Sequence, residues 1–163
     1  HQEAIVQPLK QHDSVKKILE CGLGGGNIAR YLTHHHSNIK LTSIESSPLV
    51  VGLFQQYFNP THIALNVENT STLEFVKTTQ EYFEWIIADM FVDLNSPSLY
   101  DQHLLSLYSD KVMPKGCLTI NLTNGDDEIV NRVCNELENN LDFTTQITPI
   151  AGYKNKVIHA YKS

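Results

Sequence analysis

The chain has 163 residues, 41% of them apolar and 18% charged, which suits one domain with a substantial core and requires neither a fibre nor disorder. Its formal charge is −6, from 18 acids against 12 bases, and no Lys/Arg cluster stands out, so no nucleic-acid partner is expected. No apolar run has the length of a bilayer span, so no membrane partner is expected either.

Along the chain, Lys17–Cys21 reads as the first strand and Asn27–His34 as the first helix, with glycines between them. Further strands are predicted at Lys40–Glu45, Thr61–Val67, Trp85–Asp89 and Gly116–Leu122. They alternate with helices at Pro48–Tyr57, Thr72–Gln80, Leu99–Val112 and Asp126–Asn139. In the last of these, Ile129, Val133, Leu137 and Leu141 recur every four residues, and Asp126 and Asp127 suit the positive helix end. Phe143–Thr148 and Lys156–Tyr161 are joined only by PIAGYKN, too short for a crossover helix, so they should form an antiparallel hairpin.

The expected architecture is therefore α/β: a seven-stranded, mostly parallel sheet with a C-terminal antiparallel hairpin and helices on both faces. This pattern is similar to the Rossmann-like class I methyltransferase fold, whereas a plain dinucleotide fold normally continues with another parallel unit. One domain is expected over residues 1–163. The first residue is His rather than Met, so an N-terminal segment is expected to precede it.

Cys21, Cys117 and Cys134 show no C-x-x-C spacing. Cys21 and Cys117 sit in apolar, strand-like runs and read as buried, reduced thiols of a cytoplasmic protein. The run THHHS at residues 33–37 invites a metal, but adjacent histidines splay apart at a helix end. A solvated turn is the expectation, with no metal. NLTN at residues 121–124 matches a glycosylation sequon, to which a cytoplasmic protein gives no meaning.

The connection after the first strand carries the chemistry. Its spacing, E-x-G-x-G-x-G from Glu20 through Gly22, Gly24 and Gly26, bares backbone N–H groups and lets a ligand approach without meeting a Cβ. Glu45 ends the next strand, where a carboxylate can accept from both hydroxyls of a ribose. An acid at Glu20 suits the ammonium of S-adenosylmethionine and would repel a pyrophosphate. Two alternatives stand: Gly24-x-Gly26-x-x-Ala29 fits a loose dinucleotide fingerprint for a nicotinamide cofactor, and the loop could be structural.

At this point the residues resemble the spermidine synthase, or polyamine aminopropyltransferase, family over nearly the whole chain. HQEAIVQPLKQHDSVKKILECGLGGG is similar to that family's Tyr-Gln-Glu segment, Pro-Leu pair and glycine strand, and Arg30 matches its helix arginine. SIESSPLVVGLFQQYF is similar to its acid-ending strand and helix, and EYFEWIIADMF to the strand ending in a catalytic aspartate, here Asp89. VMPKGCLTINL and NKVIHAYKS resemble its late strands. The resemblance implies donor binding at Gln2, Gly22, Gly24, Gly25, Gly26, Glu45, Ser46, Ser71 and Asp89, with catalysis at Asp89 and a second acid at Asp93. It also implies a small-molecule acceptor and a possible homodimer.

The departures bear on which group is transferred. Gly25 stands where the family keeps an aspartate for the donor's aminopropyl ammonium. Asp89 is followed by MFVD rather than Ser-Ser-Asp-Pro, so Asp93 falls one residue late. Ser71-Thr72 replaces the adenine-contacting Asp-Gly pair unless a gap brings in Glu68, and His1 replaces the substrate tyrosine. An aspartate at position 25 would repel the carboxylate of intact S-adenosylmethionine by about 4 kcal/mol at about 4 Å and an effective dielectric of about 20. Gly25 removes that repulsion, so the expectation is small-molecule methyl transfer from intact S-adenosylmethionine. The alternatives are aminopropyl transfer from decarboxylated S-adenosylmethionine and a donor-binding relative without turnover.

Overall fold

The computed structural model describes residues 2–10, 15–36, 38–60, 62–90, 100–123 and 125–163. A short helix α1 (Gln2–Ile5) and a 3-10 turn (Gln7–Lys10) precede β1 (Lys17–Cys21). Then follow α2 (Asn27–His35), β2 (Lys40–Ile44), α3 (Pro48–Leu53), β3 (Asn66–Glu68), α4 (Thr72–Thr78) and β4 (Phe83–Ala88). The chain closes with α5 (Gln102–Lys111), β5 (Val112–Leu122), α6 (Asp127–Asn140), β6 (Phe143–Pro149) and β7 (Lys156–Lys162).

The strands form one seven-stranded sheet in the order β3-β2-β1-β4-β5-β7-β6. All pairings from β3 to β5 are parallel. β7 runs antiparallel to both β5 and β6, as the short PIAGYKN connection requires. Strand order reverses at β1, whose neighbours are β2 and β4, so the crevice at the carboxyl ends of β1 and β4 is where such a sheet binds ligands.

Two apolar clusters cover the two faces. One packs α4, α5 and α6 through Val76, Leu105, Tyr108, Val133 and Leu137 against Ile86, Leu118 and Ile158. The other packs α1 and α2 through Ile5, Ile28 and Leu32, with Phe54, against Ile18, Trp85, Ile87 and Val157. β1 and β4 are buried on both faces, which is why KILEC and FEWIIA read as nearly continuous apolar runs. Cys21, Cys117 and Cys134 are buried free thiols. No helix among the described residues is long and apolar enough to cross a membrane.

Several boundaries differ from expectation, each for a local reason. The third strand, expected at Thr61–Val67, is only Asn66–Glu68; Thr61 itself lies outside the described residues. The Asn59 side chain donates to the Ile63 carbonyl at 3.0 Å and accepts from its N–H at 2.9 Å, occupying both groups that a strand would pair. The helix expected over Pro48–Tyr57 starts on Pro48, capped by the Ser47 hydroxyl, but widens into a π turn over Phe54–Phe58. In α6 the buried stripe is Val130, Val133, Cys134 and Leu137, because a 3.6-residue turn alternates steps of three and four; Leu141 lies beyond the helix as its cap. β5 begins four residues before Gly116, with a register irregularity opposite Phe83–Trp85.

A polar chain threads the second cluster. The Trp85 indole N–H donates to the Thr119 hydroxyl at 2.9 Å, and that hydroxyl lies 3.0 Å from His159 Nδ1. The hydroxyl can donate to Nδ1 or accept from it, so the contact is compatible with either neutral tautomer of the imidazole. Nε2 has no partner of hydrogen-bond geometry among the described residues, and the Ala4 backbone opposes the effect of burial on the ring. Burial nonetheless pushes His159 down from 6.5 to about 4. The unfolded chain therefore binds a proton that the folded one does not between about pH 4 and 6.5, so stability should rise with pH across that window. The share from His159 is about 3 kcal/mol. Urea titrations at several pH values should show this slope diminished in His159→Phe; an unchanged slope would refute the assignment.

Candidate functional site

The glycine loop is shaped by contacts that exclude side chains. A Cβ on Gly22, at φ +98°, would lie 2.4 Å from the Asp89 carbonyl oxygen, because Gly22 passes directly over the end of β4. Gly26, at φ +64°, faces the Phe54 ring of the π turn at 2.2 Å from where its Cβ would stand. Gly24 and Gly25 have open space there instead. Arg30 braces the loop from α2, donating to the Gly25 carbonyl at 2.7 Å, to the Phe58 carbonyl and to Asn27 Oδ1.

Two adjoining compartments open at the strand ends and share Gly22, Gly24 and Asp89. The larger, about 450 Å³, is lined by Glu45, Ser46, Val50, Ser71, Thr72, Leu73 and Met90 as well. The smaller, about 190 Å³, is completed by Gln2, Glu20, Leu23, Gly25, Asn27 and Ile28. Glu20 and Glu45 thus serve one crevice but face different halves of it. Gly26 lines neither half; its place is behind the loop, against Phe54.

Glu45 is held ready at the rim of the larger half. Its Oε1 accepts from the Ser47 N–H at 2.9 Å and its Oε2 from the Gly24 N–H at 3.3 Å. Ser71 lines the same half while its hydroxyl caps α4, accepting from the Glu74 N–H at 3.2 Å. Glu68 lies outside that lining. Glu20 is 1% exposed on β1 and accepts from the Ser43 hydroxyl at 2.5 Å. Burial raises its pKa from 4.5 to about 8; the Asp89 charge adds to the rise, while Ser43 and the Ala29 backbone oppose it.

Asp89 stands at the junction of the two halves, one residue past β4, anchored by its N–H to the Cys21 carbonyl at 3.0 Å. Its Oδ1 accepts from the Asn121 amide at 2.7 Å. Burial raises its pKa, against the pull of Asn121. Asn121 is itself fixed: Asn155 donates to its Oδ1 at 3.3 Å and the Tyr100 hydroxyl to its carbonyl at 3.1 Å. Tyr100 keeps its proton, with burial and the Asp89 charge pushing it up to about 12. Asp93 lies outside the described residues, as does His1.

Sequence reasoning missed Asn121 and Ser43, the two side chains that hold the site's acids. A signal existed: each is a polar residue next to apolar ones near the carboxyl end of a strand, and both are buried. The asparagine noted in NLTN is a buried brace for Asp89.

The description "Spermine/spermidine synthase domain" matches residues 1–162. A polyamine aminopropyltransferase of Buchnera aphidicola subsp. Acyrthosiphon pisum is 32% identical over 89 residues, half of this chain and 31% of that protein. Polyamine aminopropyltransferase 1 of Pseudomonas aeruginosa is 29% identical over a stretch of the same length. These matches span about a third of the curated relatives' length. Among solved structures, human methyltransferase-like protein 13 in complex with SAH has a TM-score of 0.82 at 18% identity, covering 99% of this chain and 79% of that one. Spermidine synthase from Thermotoga maritima has a TM-score of 0.77 at 18% identity, covering 99% and 59%. A spermidine synthase in complex with the transition-state analogue AdoDATO has a TM-score of 0.76 at 16% identity, covering 99% and 58%. The fold is the Rossmann-like class I methyltransferase fold expected from the strand pattern.

Proposed function

Since the chain belongs to the spermine/spermidine synthase family, we propose that its crevice binds an adenosyl sulfonium donor and transfers an alkyl group to a small amine acceptor, aminopropyl transfer being the first reading. The observation that carries this is the lining of the smaller compartment. Two carboxyl groups, Glu20 and Asp89, face it, and no Lys, Arg or His among the described residues does. Such a hollow suits a tail bearing an ammonium and no carboxylate, which is the tail of decarboxylated S-adenosylmethionine. The names of the curated relatives support the same reading.

In this reading the nucleoside lies in the larger compartment, with Glu45 accepting from its ribose and Ser46, Ser71 and Thr72 around it. The amine lone pair attacks the carbon attached to sulfur, the carbon–sulfur bond breaks, and its electron pair stays on sulfur. The nitrogen loses a proton on the way. Asp89 takes that proton or anchors the ammonium beforehand, since burial makes it a stronger base than an exposed aspartate. Asn121 sets its orientation.

One observation favours the second reading, methyl transfer from intact S-adenosylmethionine. Gly25 brings no acid to the smaller compartment, although a side chain there would meet nothing within 4 Å. The two readings separate by calorimetry with both donors and mass spectrometry after reaction with a panel of primary amines. An aminopropyl increment, with tighter binding of the decarboxylated donor, is expected. A methyl increment would establish the second reading, and binding of neither donor would refute both. Gly25→Asp should move the preference further toward the decarboxylated donor, by about tenfold or more in relative affinity.

A further inference from the structure

Glu20 is a buried carboxyl lining the smaller compartment. Its surroundings pose a charge problem. β1 presents the carboxyl at the floor of the smaller compartment, β2 offers it only the Ser43 hydroxyl, and α2 the backbone of Ala29. β4 contributes Ile87 beside it in register and Asp89 at the rim, and α1 contributes the uncharged Gln2. The only charged side chain facing Glu20 among these is thus another acid.

We infer, resting on the donor reading above, that Glu20 is a proton-exchanging counter-ion: it is protonated in the free protein and releases its proton to solvent when a ligand's ammonium enters the compartment beside Asp89. The direction of its pKa, raised to about 8 by burial first and by Asp89 after it, agrees with the geometry. An ammonium at contact distance favours the carboxylate by about 1–3 pH units, which restores ionisation near neutral pH. The balance is simple: no covalent bond other than O–H breaks, and the proton goes to buffer.

The consequence is a selective grip. A nucleoside carrying a cationic tail gains an ion pair that its tailless counterpart lacks. After aminopropyl transfer, the thioether nucleoside left behind has no ammonium, so Glu20 takes back a proton and the compartment returns to its uncharged form. Product release is thereby tied to loss of the tail.

Calorimetry in buffers of different ionisation enthalpy tests this on the whole chain, with decarboxylated S-adenosylmethionine and 5′-methylthioadenosine as probes. Near pH 7 the first should release between about 0.5 and 1 proton and the second almost none. Affinity for the first should rise by about two- to eightfold from about pH 6 to about 7, below the range where the ligand's own amine titrates. In Glu20→Gln the proton release should vanish, while 5′-methylthioadenosine, which carries no ammonium, should bind within about twofold of its original affinity. Binding of the decarboxylated donor with no proton release, equal release by both probes, or release that persists in Glu20→Gln would overturn the inference and leave the donor reading standing. Failure of either nucleoside to bind the original protein would overturn both.

Discussion

Asp89→Asn should lower kcat by about 10³-fold, or about 4 kcal/mol in barrier height, with little change in the affinity for 5′-methylthioadenosine. The amide has nearly the shape of the carboxylate, and Asn121, 2.7 Å from Oδ1, can still donate to its oxygen. What the substitution removes is the capacity to take a proton or to balance an ammonium at the junction of the two compartments. Steady-state kinetics on the aminopropyl or methyl reaction would measure the loss, with thermal unfolding as the check on the fold. A fall of less than about tenfold would remove Asp89 from the chemistry. Asn121→Ala should produce a smaller loss, of about ten- to thirtyfold, because the carboxylate would remain without its orienting donor.

The second large effect concerns the backbone. Gly22→Ala places a Cβ 2.4 Å from the Asp89 carbonyl oxygen, at a φ of +98° that an alanine adopts only under strain. Overlap and strain together should cost about 3–5 kcal/mol, since both the loop and β4 would have to shift. Gly24→Ala is the contrasting case: φ is +50° and the Cβ would meet nothing within 4 Å. It should cost only about 1–2 kcal/mol in stability, yet weaken nucleoside binding, because the added methyl occupies space at the mouth shared by both compartments. Urea unfolding and nucleoside titrations on the pair should separate structural from ligand-facing glycines. Equal stability of the two variants would contradict the close passage of Gly22 over β4.

Much of this was legible in the chain. β1 is placed to the residue, because KILEC is an apolar run ended by a glycine, and the reversed β7 follows from a connection too short to cross over. Glu20, Glu45 and Asp89, expected at strand ends, stand at or just past the ends of strands and line the crevice. What stayed hidden depends on contacts distant in sequence. Asn59 closing on Ile63 truncates β3, and no periodicity announces a side chain that occupies backbone groups four residues away. The pKa of Glu20 is set first by burial, with Ser43 pulling it down and Asp89 pushing it up, 23 and 69 residues further on, so strand-end position alone suggests an ordinary carboxylate. The expectation of methyl transfer rests on absent polyamine-site acids, above all the one that Gly25 replaces. The proposal of the decarboxylated donor draws instead on the folded compartment, with two carboxyls and no opposing cation among its described lining.

The widened winding at residues 54–58 links the outer surface to the crevice at the strand ends. Phe54 wedges under Gly26, and the carbonyl of Phe58 receives the same guanidinium that grips Gly25. Deleting one residue there would restore a regular spiral, turn the wedge aside and free the arginine from one of its anchors. A length change on the periphery would thus retune the crevice with every lining side chain unaltered.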